Sequence, residues 1–233
     1  MFVTAGFTVA GVRAAPEGVA IKFAGEASTP WVIPTLAVAI EPDGYFLTAA
    51  HVLGGTNVYL AYRTEQGARL ARPRIVARYW NPTNGSDYAV LHVDDDLRDV
   101  FGWSSPVQSR AGLQVLAVGL SDLTTEGWIS LACIGGRIRW ISDPTGPVTI
   151  HSDLPTRWGD SGGPMIDASG RLLGVTLGVK GGWWRPTRTV SAMPNRNTIA
   201  RILREDRGSR HESQTPFHST SDPGDRPDLM IRL

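Results

Sequence analysis

Short apolar runs, interrupted at close intervals by Gly, Pro, Asn or Asp, recur along the chain from residue 19 to residue 191. Runs such as 35–40 and 45–49 are rich in aliphatic, β-branched and aromatic residues and too short for amphipathic helices, so the pattern predicts strands joined by tight turns. The expected strands cover 19–23, 35–40, 45–49, 57–62, 74–80, 88–93, 114–118, 128–134, 137–141, 148–152, 164–166, 172–177 and 189–191. Glu41-Pro42-Asp43-Gly44 has the residues of a β-turn between two of them. One helix is expected over 197–204, where Ile199, Ile202 and Leu203 share a face and Asn195 or Asn197 can cap the start. Beyond Glu205 the chain turns to Arg, Ser, Asp, His and Pro, which predicts a disordered tail over 206–233. Its last residues, Leu229-Met230-Ile231-Arg232-Leu233, are apolar enough to dock on a partner or on the protein's own cleft.

Composition narrows the class. With 233 residues, 26 of them Gly and 16 Pro, the chain suits one all-β domain over 18–205, preceded by an N-terminal arm or strand over 1–17. The 23 basic and 22 acidic residues leave a net charge of +1, which gives no basis for nucleic-acid or membrane-surface binding. Arg69, Arg72, Arg74 and Arg78 alternate with apolar residues and fit the solvated side of a strand. A single cysteine, Cys133, forbids an intrachain disulfide and is expected to be a small buried hydrophobe. The N-terminus is apolar but has neither a basic leader nor an uninterrupted apolar stretch, so, with only one cysteine, a cytoplasmic location is expected over the alternative of a remnant of an exported precursor.

Three segments carry the chemistry. Gly159-Asp160-Ser161-Gly162-Gly163-Pro164 sets a serine among glycines that allow a sharp turn with uncovered N–H groups. Thr48-Ala49-Ala50-His51-Val52 delivers a histidine at the end of an apolar run, and Asp87-Tyr88-Ala89-Val90-Leu91 puts an acid at the mouth of another. A serine hydroxyl needs an adjacent base and an oriented oxyanion site to be a nucleophile, and the order His51, Asp87, Ser161 is that of chymotrypsin-type triads. His92 and His151 lack the Thr-Ala-Ala context and are read as structural; Asp94, Asp95 and Asp96 read as an exposed acidic turn.

With these motifs the chain resembles the trypsin-like serine proteases and, within them, the bacterial Deg/HtrA protease domain without a PDZ domain. The strand and bend Ile150-His151-Ser152-Asp153-Leu154-Pro155 and the closing Val190-Ser191-Ala192-Met193-Pro194 are also similar to that branch. The resemblance implies two Greek-key β-barrels, a short C-terminal helix and a cleft between the barrels. It implies a serine endopeptidase working through an acyl-enzyme on a protein or peptide substrate, with no cofactor and no metal. His51, Asp87 and Ser161 would be catalytic, and the N–H groups of Gly159 and Ser161 would form the oxyanion hole. Pro155, Thr156, Arg157, Trp158, Thr176, Leu177 and Gly178 would bind substrate. Pro155 stands where trypsin has an aspartate, which disfavours a basic side chain, and Val175, Leu177 and Val179 point to a small or medium apolar one. Trp158, Trp183 and Trp184 either rim the cleft or serve as core.

Two departures accompany the resemblance. The stretch 33–40 lacks the family's glycines, and Asp160 is the trypsin-type residue where the Deg branch usually has Asn, with no partner evident from the sequence. A catalytically silent pseudoprotease or binding module on the same scaffold is the alternative, followed by an interaction protein acting through its tail. A regulatory protein partner is compatible with each.

Overall fold

The computed structural model describes residues 19–25, 33–54, 57–81, 86–104, 110–123, 129–142, 147–180 and 188–214. Residues 1–18, Trp183, Trp184 and 215–233 lie outside these, and with them the expected arm, two of the rim tryptophans and the end of the tail.

The N-terminal half contributes β1 (Val19–Gly25), β2 (Ile33–Glu41), β3 (Tyr45–Thr48), β4 (Asn57–Thr64), β5 (Gly67–Ala71), β6 (Arg74–Asn81) and β7 (Ser86–His92). They form one antiparallel sheet in the order β5-β4-β1-β2-β3-β7-β6. The C-terminal half contributes β8 (Gln114–Leu123), β9 (Ile129–Ile141), β10 (Val148–Ser152), β11 (Pro164–Asp167), β12 (Leu172–Lys180) and β13 (Arg188–Met193), followed by the helix α1 (Arg196–Gln214). These six strands close into a barrel, β10-β13-β12-β11-β8-β9.

The expectation of two closed Greek-key barrels is therefore corrected: one barrel is closed and the N-terminal half is an open seven-stranded sheet. Its edges explain why. β5 and β6 are mostly exposed, carry Arg69, Arg74 and Arg78, and are separated only by Arg72-Pro73. A proline and charged, solvated side chains are the usual means of keeping sheet edges unpaired.

Alternation in the central strands sorts side chains into two cores. Ala37, Ala39, Phe46, Ala89 and Leu91 face one side, where they pack with Leu53, Leu60 and Tyr62. Their neighbours Val38, Ile40, Tyr45, Leu47, Tyr88 and Val90 face the other, against Ile166, Leu172, Val175 and Ala192 of the barrel and Ile199, Ile202 and Leu203 of α1. The helix thus seals the joint between the halves, each of its three apolar side chains contributing about 1.5–3 kcal/mol by burial. A third core fills the barrel, with Val115, Ala117, Ile138, Ile150, Leu154, Met165 and Leu173.

Local differences from the pattern have physical causes. The strands expected over 128–134 and 137–141 are one strand, because Gly135 and Gly136 stay in register with Leu116 and Val115. Gly136 answers to packing and not to a turn: a Cβ there would lie 2.8 Å from Asp153 Oδ1 and 3.0 Å from Leu154. Cys133 is exposed, not buried. The helix runs to Gln214, past the expected start of the tail, because Asp206, Arg207 and Arg210 find partners on the sheet. Asn195 is its cap, accepting from the N–H groups of Asn197 (2.9 Å) and Thr198 (3.3 Å).

Candidate active site

His51 opens a single 3-10 turn, His51–Leu53, directly after β3, where Ala49 and Ala50 are fully buried and small enough to let the chain pass into the core. Asp87 lies on β7, separated from β3 in sequence by three strands but adjacent in space, since Thr48 of β3 pairs with Ala89. The Asp87 carboxylate holds His51 at two points: Oδ2 lies 2.6 Å from the ring Nδ1, and Oδ1 accepts from the main-chain N–H at 2.9 Å. This clamp fixes the ring's tautomer and orientation, leaving Nε2 free to take a proton. Trp80, opposite Asp87 in β6, lies with its ring centroid 6.0 Å from that of His51. Its half-exposed indole forms a wall of the site that no motif signalled.

Ser161 lies on the turn between β10 and β11, which docks on the N-terminal sheet. Leu36 N–H donates to Ser161 O (3.0 Å), Gly162 N–H to Thr176 O (2.7 Å), and Thr176 N–H to Gly163 O (2.8 Å). Gly162 has φ +84°, and a Cβ there would stand 2.0 Å from the Leu36 carbonyl oxygen and 2.3 Å from Thr48 Oγ1. No other residue fits that approach. Gly159 has φ +99°, and among the described residues neither its N–H nor that of Ser161 makes a main-chain hydrogen bond, which leaves both available to an oxyanion.

The partner of Asp160 is the main chain. Its buried carboxylate accepts from Leu120 N–H of β8 (2.7 Å) and from Arg157 N–H (2.6 Å), while Asp160 N–H donates to Arg157 O (3.2 Å). Gly119 leaves room for it, since a Cβ there would lie 2.8 Å from Oδ1. Burial pushes this carboxyl above its usual range, and the two main-chain donors, with the nearby Arg157 charge, oppose that rise.

The Ser161 hydroxyl donates to the Leu177 carbonyl at 2.9 Å and not to His51. The structure thus joins His51 to Asp87, and holds Ser161 in a separate hydrogen bond. Of the residues expected to bind substrate, Thr156 is buried, Pro155 and Arg157 are exposed, and Trp158 is 94% exposed. Thr176 and Leu177 lie on β12 beside the serine turn, and Gly178, φ +152°, follows where the β12–β13 register shifts. His92 and His151 are buried against other aromatic rings, Tyr45 and Trp140 respectively, the latter pair stacked with centroids 3.6 Å apart. Asp94 is exposed, whereas Asp95 accepts a hydrogen bond from the Tyr62 hydroxyl.

The model of the trypsin-like peptidase domain matches residues 35–175, from the β2 strand that docks Ser161 through the serine turn. The chain belongs to this family. A probable periplasmic serine endoprotease DegP-like from Pseudomonas fluorescens is 30% identical over 145 residues, which are 58% of this chain and 27% of that protein. The trypsin-like chain therefore spans about a quarter of the length of the curated relatives it matches. The active form of the Rv3671c protease from M. tuberculosis superposes with a TM-score of 0.58 at 22% identity, covering 76% of this chain and 75% of that one. The HtrA-type protease AlgW with a tripeptide gives 0.60 at 22%, covering 80% and 59%. These likenesses show a serine-protease fold related to the DegP/HtrA type. The cytoplasmic expectation, drawn from the N-terminal composition and the single cysteine, is corrected by them, because the matched relatives are named periplasmic endoproteases. Among the described residues no helix is long and apolar enough to cross a membrane.

Proposed function

We propose that this trypsin-like domain is a serine endopeptidase in which His51, Asp87 and Ser161 form the triad. The observation that carries the reading is the two-point Asp87 clamp on His51, which prepares an imidazole to serve as general base. In the reaction His51 takes the Ser161 proton as the oxygen attacks the scissile carbonyl. The carbonyl oxygen becomes negative between the Gly159 and Ser161 N–H groups, and His51 then passes the proton to the leaving amine. Water, activated by the same base, releases the acyl group from Ser161. Asp160 acts one step back, tying the 157–160 turn to β8 so that the oxyanion donors keep their direction.

Leu177 and Ser161 supply the observation behind the second reading. A serine hydroxyl engaged by a main-chain carbonyl is at rest, and a pseudoprotease would keep it so. A β12 carbonyl beside the nucleophile is equally suited to accept an N–H from an extended substrate, which would release Ser161 towards His51. Substrate, or a regulatory protein partner, supplies that trigger in our reading. The periplasmic naming of the relatives extends, as part of the same proposal, to this chain.

Hydrolysis of unfolded casein by the purified protein, beside Ser161→Ala and His51→Ala controls, tests the proposal. Cleavage lost in both variants supports it; cleavage that survives Ser161→Ala, or no cleavage by the wild type, favours the silent scaffold.

A further inference from the structure

Beneath the serine turn the barrel ends in hydroxyls. Thr156, Thr176, Thr189, Ser191 and Ser152 are all buried, with Thr156 the most accessible at 7%. Register brings four of them onto the barrel's inner face. Ser191 of β13 lies opposite Thr176 of β12 and Ile150 of β10, and Thr189 lies opposite Ser152, itself opposite Ile138. Ile138 and Ile150 belong to the barrel core, and directly paired residues share a face. Thr156 joins from the serine loop: Thr189 Oγ1 gives its proton to Leu154 O at 2.5 Å, so Thr156 must donate in the 2.6 Å contact between the two threonines.

The other three hydroxyls are unmatched. Ser152 Oγ, Thr176 Oγ1 and Ser191 Oγ are buried and have no hydrogen-bond partner. Orphaned buried hydroxyls are costly and uncommon in native proteins, and a group of them beside a reacting centre invites a ligand that supplies the missing donors and acceptors. The place fits, because Thr176 is hydrogen-bonded through its main chain to Gly162 and Gly163, the two residues directly after Ser161.

The geometry points to a specificity pocket, made by Thr156, Thr176, Thr189 and Ser191, that takes a small uncharged polar side chain (Ser, Thr or Asn) immediately before the scissile bond. This inference rests on the endopeptidase reading and replaces the apolar expectation drawn from Val175, Leu177 and Val179. Val175 and Leu177 lie on the opposite face of β12, Val175 buried in the core under α1 and Leu177 packed against that core, while Val179, beyond the register shift, pairs with Thr189 and is 39% exposed. A charged side chain would meet hydroxyls with no counter-ion, and an apolar one would leave the hydroxyls unpaired.

Cleavage sites in casein are mapped by mass spectrometry, and a cleaved peptide is then resynthesised with Ser, Thr, Asn, Val, Leu, Phe or Lys before the scissile bond. A fluorophosphonate probe is applied to the same preparation. The inference expects kcat/KM at least tenfold higher for Thr than for the near-isosteric Val, and a Thr-to-Val ratio about tenfold smaller in Thr176→Val or Ser191→Ala. A purely structural role for these hydroxyls would lower both rates together and leave the ratio unchanged, which overturns the inference. Probe labelling of Ser161 with preferred cleavage after Val, Leu, Phe or Lys also overturns it while leaving the endopeptidase standing. No labelling of Ser161 brings down both.

Discussion

At the scale of single residues, the site depends on groups whose removal has distinct signatures. Asp87→Asn keeps the shape but not the charge or the tautomer control, and by analogy with the chymotrypsin-type triad turnover should fall about 10,000-fold with KM little changed, measured on a casein-derived peptide. Gly162→Ala forces a methyl group into the Leu36 carbonyl at a left-handed φ. It should lower the urea midpoint and remove activity together, since the same turn docks the sheet and carries Ser161. Asp160→Ala removes the buried acceptor of the part-buried Leu120 and Arg157 N–H groups, hydrogen bonds to a charged group that contribute about 1.5–3 kcal/mol each at most. Denaturant unfolding should show that loss, and kcat should fall because the oxyanion turn loses its tie. Full activity in this variant would contradict the positioning role.

At the scale of elements, α1 is held by a polar network as well as by its apolar face. Arg74 chelates Asp206 with bonds of 2.6 and 2.7 Å, Asp206 accepts from Tyr45, Arg210 donates to Tyr45 and meets His92 Nε2 at 2.8 Å, and Arg207 grips Asp43 and Glu41. Burial, reinforced by the Arg210 and Arg74 cations and opposed by Asp94 and the Asp43 carbonyl, holds the His92 imidazole below its usual value. The unfolded chain therefore takes up this proton first, so the stability held by neutral His92 is full above about pH 6.5 and declines below it. Asp43 and Asp206, lowered chiefly by Arg207 and Arg74, act elsewhere: their contribution is lost only well into acid, below about pH 4. Thermal melts of the wild type and His92→Gln between pH 7.5 and 5.5 should diverge, the wild type losing more; parallel curves would contradict the assignment.

The same elements show what the sequence could carry. His51, Asp87 and Ser161 stood out because each motif is contiguous and its chemistry is local. The helix core at Ile199, Ile202 and Leu203 was legible by period, but its continuation through Asp206, Arg207 and Arg210 was not, because its partners lie on β2, β3, β6 and β7 and the segment looks solvated by composition. Sheet closure was hidden for a similar reason: whether β5 meets β6 is decided by two edges and not by any strand's own pattern. In β12 the apolar residues 175 and 177 drew attention, whereas the barrel-facing position between them is Thr176, and a register shift after it changes the parity at Val179, which only strand pairing fixes.

At the scale of the whole molecule, an open sheet carries His51 and Asp87, a closed barrel carries the turn with Ser161, and α1 braces the joint. Ile202→Ala, which removes apolar surface from that joint, should cost about 2–5 kcal/mol in urea unfolding. The central claim is that Asp87-held His51 activates Ser161 across this joint. Its most direct measurement is the rate at which a fluorophosphonate adds to the protein, with the adduct located by peptide mass spectrometry, in wild type and Asp87→Asn. The account predicts one adduct, on Ser161, formed orders of magnitude more slowly in Asp87→Asn. An adduct elsewhere, no adduct, or equal rates in the two proteins would contradict it.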